Sequence, residues 1–216
     1  MITACRNILV LATAAAALSG CAIGRSTIDL SVAPGEPAGA ERAYVKVQVA
    51  DQRTFQLNPT DPSVPSLAEE DFKDSALRAR AIARKRNAMG QALGDVTLPE
   101  GRTVAQLVRD AAIKALRQRG YAVVDDRSPE AANAMALDLN IVKFWAWGTP
   151  GFAAYTLTFE SEVAMRGGVL ASGDATTVRA RTEDGFQIVT EGAQQEFMQG
   201  GVNQLVEQMK AAIRTP

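Results

Sequence analysis

The sequence predicts an α+β protein, a two-layer sandwich in which a mostly antiparallel sheet packs against two amphipathic helices. Three observations carry that expectation. Residues 103–120 and 191–214 hold apolar side chains at helical spacing, whereas several other stretches alternate apolar and polar residues with a period of two. Between residues 135 and 182 the alternating runs follow one another with only short Gly-containing breaks, which favours hairpin connections. At 216 residues, 47% hydrophobic and 22% charged, the chain is long enough to bury a core and reads as one domain.

Taken in order, "AYVKVQVADQR" (Ala43 to Arg53) is the first strand, with Val45, Val47 and Val49 on one face and Tyr44, Lys46 and Gln48 on the other. A Pro- and Asp-rich loop reaches to about Pro65, followed by the acidic "EEDFKD". "LRARAIARKRN" (Leu77 to Asn87) then brings Arg78, Arg80, Arg84, Lys85 and Arg86 together. It reads as an edge strand protected by its charges, with the acidic run as its neutraliser and phosphate binding as the alternative. "RTVAQLVRDAAIKALRQRG" is the clearest helix. Thr103 and Gln106 form a capping-box pattern, Val104, Leu107, Val108, Ala111, Ala115 and Leu116 make one apolar face, and Gly120 suits the C-terminal cap. "YAVV" begins a strand at once, and three extended segments follow: "MALDLNIVKFWAW", "AYTLTFESEVAM" and the more polar, exposed "ATTVRART". Phe197, Val202, Leu205, Val206, Met209 and Ile213 predict one C-terminal helix, in which Gly200 and Gly201 allow close approach to the sheet.

The first 20 residues read as an export signal. Arg6 is the positive flank and Ile8 to Leu18 the apolar stretch, too short to span a hydrocarbon core of ~30 Å as a helix. Leu18, Ser19, Gly20 and Cys21 spell "LSGC", which resembles the bacterial lipobox: the resemblance implies that Leu18, Ser19 and Gly20 are read by the signal peptidase and that the Cys21 thiol is lipidated. Cleavage there removes Cys5 and leaves Cys21 without a disulfide partner. Several acyl chains at about 0.8 kcal/mol per buried methylene are enough for stable anchoring. Ala22 after the cysteine resembles the outer-membrane sorting class, with inner-membrane retention the lesser alternative. Residues 21–41, with Gly24, Pro34, Gly35, Pro37 and Gly39, read as the lipidated cysteine and a flexible tether of ~20 residues. Within it "STIDLSV" alternates well enough to add a short strand, and residues 42–216 form the single domain.

The totals also exclude chemistry. With no histidine there is no Ser-His-Asp triad, no Cys-His pair and no His-ligated zinc. The net charge of −1, near −2 once Arg6 is removed, gives no global field for nucleic acid. No metal or cofactor motif is present: "RGGVLASG" lacks the lysine and the strand–loop–helix context of a phosphate loop, and Asp125 and Asp126 are too few for a calcium site.

With the lipobox, "VKVQVADQR", "ALRQRGYAVV" and the strand–strand–strand–helix remainder, the chain resembles the YajG-type envelope lipoproteins along nearly its full length. It departs from them in the "NPTDPSVPSLAEEDFKD" insertion and the tryptophan-rich turn. The resemblance implies a periplasm-facing lipoprotein with an architecture similar to auxiliary lipoproteins of ABC-type lipid transporters, and it carries over no catalytic residue.

One cluster stands out as a contact surface. "FWAWGTPGFAAY" groups Phe144, Trp145, Trp147, Phe152 and Tyr155 around a Gly/Pro hairpin, either packed in the core or presented at a tip to a protein or a lipid surface. Asp51 and Arg53 read as a loop fastening rather than an acid–base pair. The expectation is a non-enzymatic protein held to the membrane by acyl chains on Cys21, without cofactor or nucleic-acid partner. It would bind an envelope protein of a transporter or assembly machinery. A tethered activator of a peptidoglycan synthase and a carboxylate-dependent hydrolase are the alternatives.

Overall fold

The computed structural model describes residues 24–37, 39, 43–87, 89–152 and 154–216. The signal segment, Leu18, Ser19, Gly20 and Cys21 lie outside the described residues. The described chain forms an α+β sandwich: strands β1 (Ser26–Thr27), β2 (Ala43–Asp51), β3 (Ala81–Arg86), β4 (Ala92–Thr97), β5 (Tyr121–Val123), β6 (Met135–Pro150), β7 (Tyr155–Arg166) and β8 (Ala175–Phe186), with helices α1 (Ser75–Arg80), α2 (Val104–Gln118) and α3 (Glu191–Ala212).

The sixteen-residue β6 is the spine of the sheet. Along one edge its first half pairs in parallel with β2, from Val45↔Met135 to Asp51↔Ile141, and its second half meets β3 at Ala83↔Ala146. Along the other edge it pairs antiparallel with β7 from Asp138↔Arg166 to Pro150↔Tyr155, and β7 pairs antiparallel with β8 over its whole length. The long pairings are therefore the expected antiparallel hairpins. The β2–β5 and β2–β6 pairings are parallel instead, because α2 intervenes as a crossover that returns the chain to the same end of the sheet.

The register of β6 changes phase at one point. Leu137, Leu139 and Ile141 face the helices, a bulge between Ile141 and Lys143 leaves Val142 outside, and beyond it Phe144 and Ala146 face the helices. On that face α2 contributes Val104, Leu107, Val108, Ala111 and Leu116, and α3 contributes Met198, Val202, Leu205, Val206 and Met209. Full burial of each large apolar side chain contributes roughly 1.5–3 kcal/mol. The capping box of α2 is formed, with Gln106 N–H donating to Thr103 Oγ1 (3.1 Å) and Thr103 N–H to Gln106 Oε1 (2.8 Å). Gly120 follows with φ +92°. The tail is one continuous helix. Gly201 faces the sheet so closely that a Cβ there would overlap the Phe159 ring, whereas Gly200 faces open space.

Three expectations change. Leu77 to Arg80 belong to α1, N-capped by the Asp74 carboxylate, so the basic run is half helix. Its strand half, β3, lies inside the sheet between β4 and β6 and is not an edge. Residues 24–30 are also not tether. The Gly24 N–H donates to Leu93 O (2.7 Å), β1 pairs with β4, and Ile28 and Leu30 are in the main core. Their alternation supplies the buried side chains that a tether would lack.

Candidate functional site

The strand ends determine where a site can form. Gly24 and Leu93, Arg86↔Ala92, Pro150↔Tyr155, Tyr155↔Phe186 and the start of α3 at Glu191 all lie at one end of the sheet. There the sheet and α3 diverge around a cavity of about 360 Å³. Ala83, Ala146, Gly148 and Leu157 line it from the sheet, and Phe197 and Met198 from α3. Gly148 is required by packing: a Cβ there would overlap the Tyr155 ring, which lies over it. Burial pushes the Tyr155 hydroxyl above its usual pKa. Phe197 also meets Phe186 edge-on, at 6.0 Å between centroids.

The aromatic cluster divides three ways. Phe144 and Trp145 are both fully buried, on opposite faces of β6, and neither belongs to a contact surface. Phe144 packs edge-on against Phe159 (4.9 Å) under the helices. Trp145 lies on the other face in a small second core with Leu67, Leu77 and Ala81, roofed by the Pro-rich insertion. Its indole N–H donates to Pro62 O (3.2 Å) and Phe55 meets it edge-on at 6.0 Å. The insertion supplies the cover that a two-layer fold lacks on that face. Trp147 is half-buried beneath Lys143 (4.9 Å) and Arg181 (5.7 Å), and Tyr155 lines the cavity. Only Phe152, at the β6–β7 tip, is wholly exposed.

The remaining candidates are structural. Arg53, fully buried, donates from Nε and Nη2 to the two Asp51 carboxylate oxygens (2.8 and 2.7 Å) and also to the carbonyls of Ala81 (2.7 Å), Arg78 (2.9 Å) and Phe144 (3.2 Å). In the basic run Arg84 meets Asp95 at 3.6 Å and Arg80 meets Glu100 at 3.8 Å, while Asp71 of the acidic run pairs with Arg25 instead. The expected neutraliser is thus not the actual one. Burial pushes the Asp95 carboxyl above its ordinary range, with Arg84 opposing. On the outer face of β6–β8, Glu160 joins Lys143 and Arg181, which also reaches Glu183 (2.9 Å). Burial would raise the Glu160 pKa, but the hydrogen bonds from Lys143 and Arg181 hold it below the usual range. Asp126 pairs with Lys46 (3.2 Å) and Asp125 accepts from the Arg127 N–H (2.8 Å) within a turn. Among the described residues no three Cys, Asp or Glu side chains are grouped to hold a metal ion, and no helix is long and apolar enough to cross a membrane.

No family model and no curated protein matches this sequence. The solved structures to which it bears a weak likeness include two that align over most of the chain. One, titled as the crystal structure of an uncharacterized protein, aligns over 88% of this chain and 97% of its own, at 11% identity and a TM-score of 0.45. The other, a putative neuraminyllactose-binding hemagglutinin homolog from Helicobacter pylori, aligns over 86% and 91%, at 8% identity and a TM-score of 0.37. The architecture rests on the strand pairings above, not on these weak likenesses.

Met89 and Ile188 had no signal in the sequence reading, whereas Phe152 was among its contact candidates. Met89 (82% exposed), Phe152 (110%) and Ile188 (79%) are the three most exposed large apolar side chains among the described residues. They occupy the β3–β4 tip, the β6–β7 tip and the segment after β8, so topology brings all three to the end of the sheet where Gly24 docks.

Proposed function

We propose that this protein is a lipid-anchored component of a bacterial envelope, attached through acyl chains on Cys21, and that it acts by binding rather than by catalysis. The observation that carries this reading is the coincidence of anchor, apolar tips and cavity at one end of the fold. Three peptide steps separate Cys21 from Gly24, which is already hydrogen-bonded to β4, a reach of at most about 11 Å. The body is then held against the bilayer with Met89, Phe152 and Ile188 directed to it. Large exposed apolar side chains at one pole suit the boundary between headgroups and acyl chains. On this reading the contact surface is the pole containing Phe152, and Trp147 and Tyr155 belong to its interior. An accessory role in envelope assembly or ABC-type lipid transport, with the relationship to YajG-type lipoproteins that the motifs resemble, is part of the same proposal. The short anchor disfavours activation of a distant cell-wall synthase, which requires reach.

The test is Cys21→Ala in cells producing the full chain. Release into the soluble periplasm, or accumulation of an unprocessed precursor, is expected. A processed chain that stays in the outer-membrane fraction would refute acylation as the anchor.

A further inference from the structure

The cavity at the anchored pole has the chemistry of a particular ligand. We propose that it holds the acyl chain of a membrane amphiphile with an anionic headgroup, and that Lys85 pairs with that headgroup. This deepens the reading of the protein as a membrane-apposed binding body and rests on it.

Size and walls support an acyl chain. About 360 Å³ falls in the roughly 300–1,000 Å³ range of small-molecule sites. The walls formed by Ala146, Leu157, Phe197 and Met198 offer only hydrocarbon, aromatic and thioether surface.

Charge selects the headgroup. Lys85 follows Ala83 by two residues on β3 and so shares its face, the one turned to the helices. It enters no ion pair among the described residues, yet it lines an apolar cavity. Its neighbour Arg86 bonds only neutral oxygens, Gly90 O at 2.9 Å and Ser66 Oγ at 3.4 Å. Glu191 is the one carboxylate on the cavity wall, and no ion pair joins it to Lys85 among the described residues. Arg84 and Arg86 turn to the opposite face of β3, to Asp95 and to Ser66 Oγ, so Lys85 is the cation that faces the cavity.

That charge also chooses between two sources of hydrocarbon. Ser26 lines the same cavity, which brings acyl chains on Cys21 within range. Those chains end in uncharged thioether, ester and amide groups, however, and would leave Lys85 uncompensated. A separate anionic amphiphile satisfies both the walls and the lysine.

The test uses the full-length acylated protein extracted from membranes and a palmitic acid carrying a photoactivatable diazirine near its tail. Crosslinks are expected on the peptides containing Leu157 and Phe197–Met198, with palmitate competing more strongly than uncharged hexadecanol. Lys85→Gln should weaken palmitate binding by about tenfold while leaving hexadecanol unchanged. Lys85 is half-exposed, so the variant is expected to fold, and an unaltered melting temperature checks it. Leu157→Trp, which fills the cavity, should abolish labelling by the diazirine probe. Equal competition by palmitate and hexadecanol, no loss in Lys85→Gln, or crosslinks confined to other surfaces would overturn the proposal. So would labelling that emerges only after Cys21→Ala, which would assign the cavity to the protein's own lipid. Cavity labelling in a protein whose attachment does not depend on Cys21 would remove the anchoring reading alone. Failure of labelling alongside release of Cys21→Ala would remove only this inference.

Discussion

Where β2 leaves the sheet, one guanidinium joins segments that are distant in sequence. Arg53 pairs with Asp51 and donates to the carbonyls of Arg78 and Ala81 at the α1–β3 junction and of Phe144 in β6. The planar fork makes this possible, because its nitrogens point in fixed and divergent directions. A lysine has one nitrogen and cannot reach all these oxygens. Arg53→Lys should therefore destabilise the fold by about 2–3 kcal/mol, and Arg53→Ala by about 3–5 kcal/mol because buried carbonyls are also left unpaired. Urea midpoints at neutral pH would measure both. If both variants lie within about 0.5 kcal/mol of the parent, the range of ordinary surface substitutions, the junction is held by its apolar contacts instead. The sequence reading reached the right role here, since an Asp-x-Arg at a strand end has a local partner. It could not reveal the three carbonyls, which belong to residues 25 to 91 positions away.

Single elements show where periodicity is legible and where it fails. Helix α2 and strand β7 were readable because apolar residues recur at one spacing over eleven or more residues, and β6 because they alternate from Met135 to Ile141. Strand β4 was not, because Gly94 and Asp95 stand in its middle and both residue types are depleted in strands. Gly94 has φ +153°, and a Cβ there would overlap the Gly24 backbone, so the sequence irregularity records the docking of the N-terminal segment. Helix α1 has six residues, too few to display a period of 3.6. The bulge at Val142 shifts β6 by one residue, which lets Phe144 join the face of Ile141 and gives Trp145 to the other core. The glycine pair in α3 gives the sharpest test at this scale. Both glycines cost helix propensity, about 1 kcal/mol each relative to Ala. Gly200→Ala should recover up to that amount, because nothing stands near the new methyl. Gly201→Ala should instead lose roughly 1–2 kcal/mol, since the methyl meets the Phe159 ring, which is itself locked against Phe144. Thermal melts of the two variants should move in opposite directions; movement in the same direction would mean that α3 can shift away from the sheet.

At the scale of the whole molecule, polarity along the strands is what gives the cavity its meaning. Its lining comes from β3, β6, β7 and α3, far apart in sequence, so no local pattern could have announced it. The β7–β8 hairpin runs from Tyr155↔Phe186 at the cavity end to Arg166↔Ala175 at the other. Twelve residues of strand extend about 40 Å, so the two poles are well separated on the scale of a bilayer leaflet. On the proposed anchoring, acyl chains on Cys21 would confine the body near the surface and raise the local concentration of lipid. Met89, Phe152 and Ile188 then need only a weak preference for hydrocarbon to fix the orientation, and each gains up to roughly 1.5–3 kcal/mol if fully buried. Fluorophores on Met89→Cys, Phe152→Cys and Ile188→Cys in the acylated protein on vesicles should be quenched by lipids brominated in the acyl chain, and one on Asp174→Cys at the far pole should not. Equal quenching at all four positions would mean a body lying on its side. Quenching at Asp174→Cys alone would mean an inverted one, and either outcome would turn the cavity mouth away from the lipid it is proposed to hold.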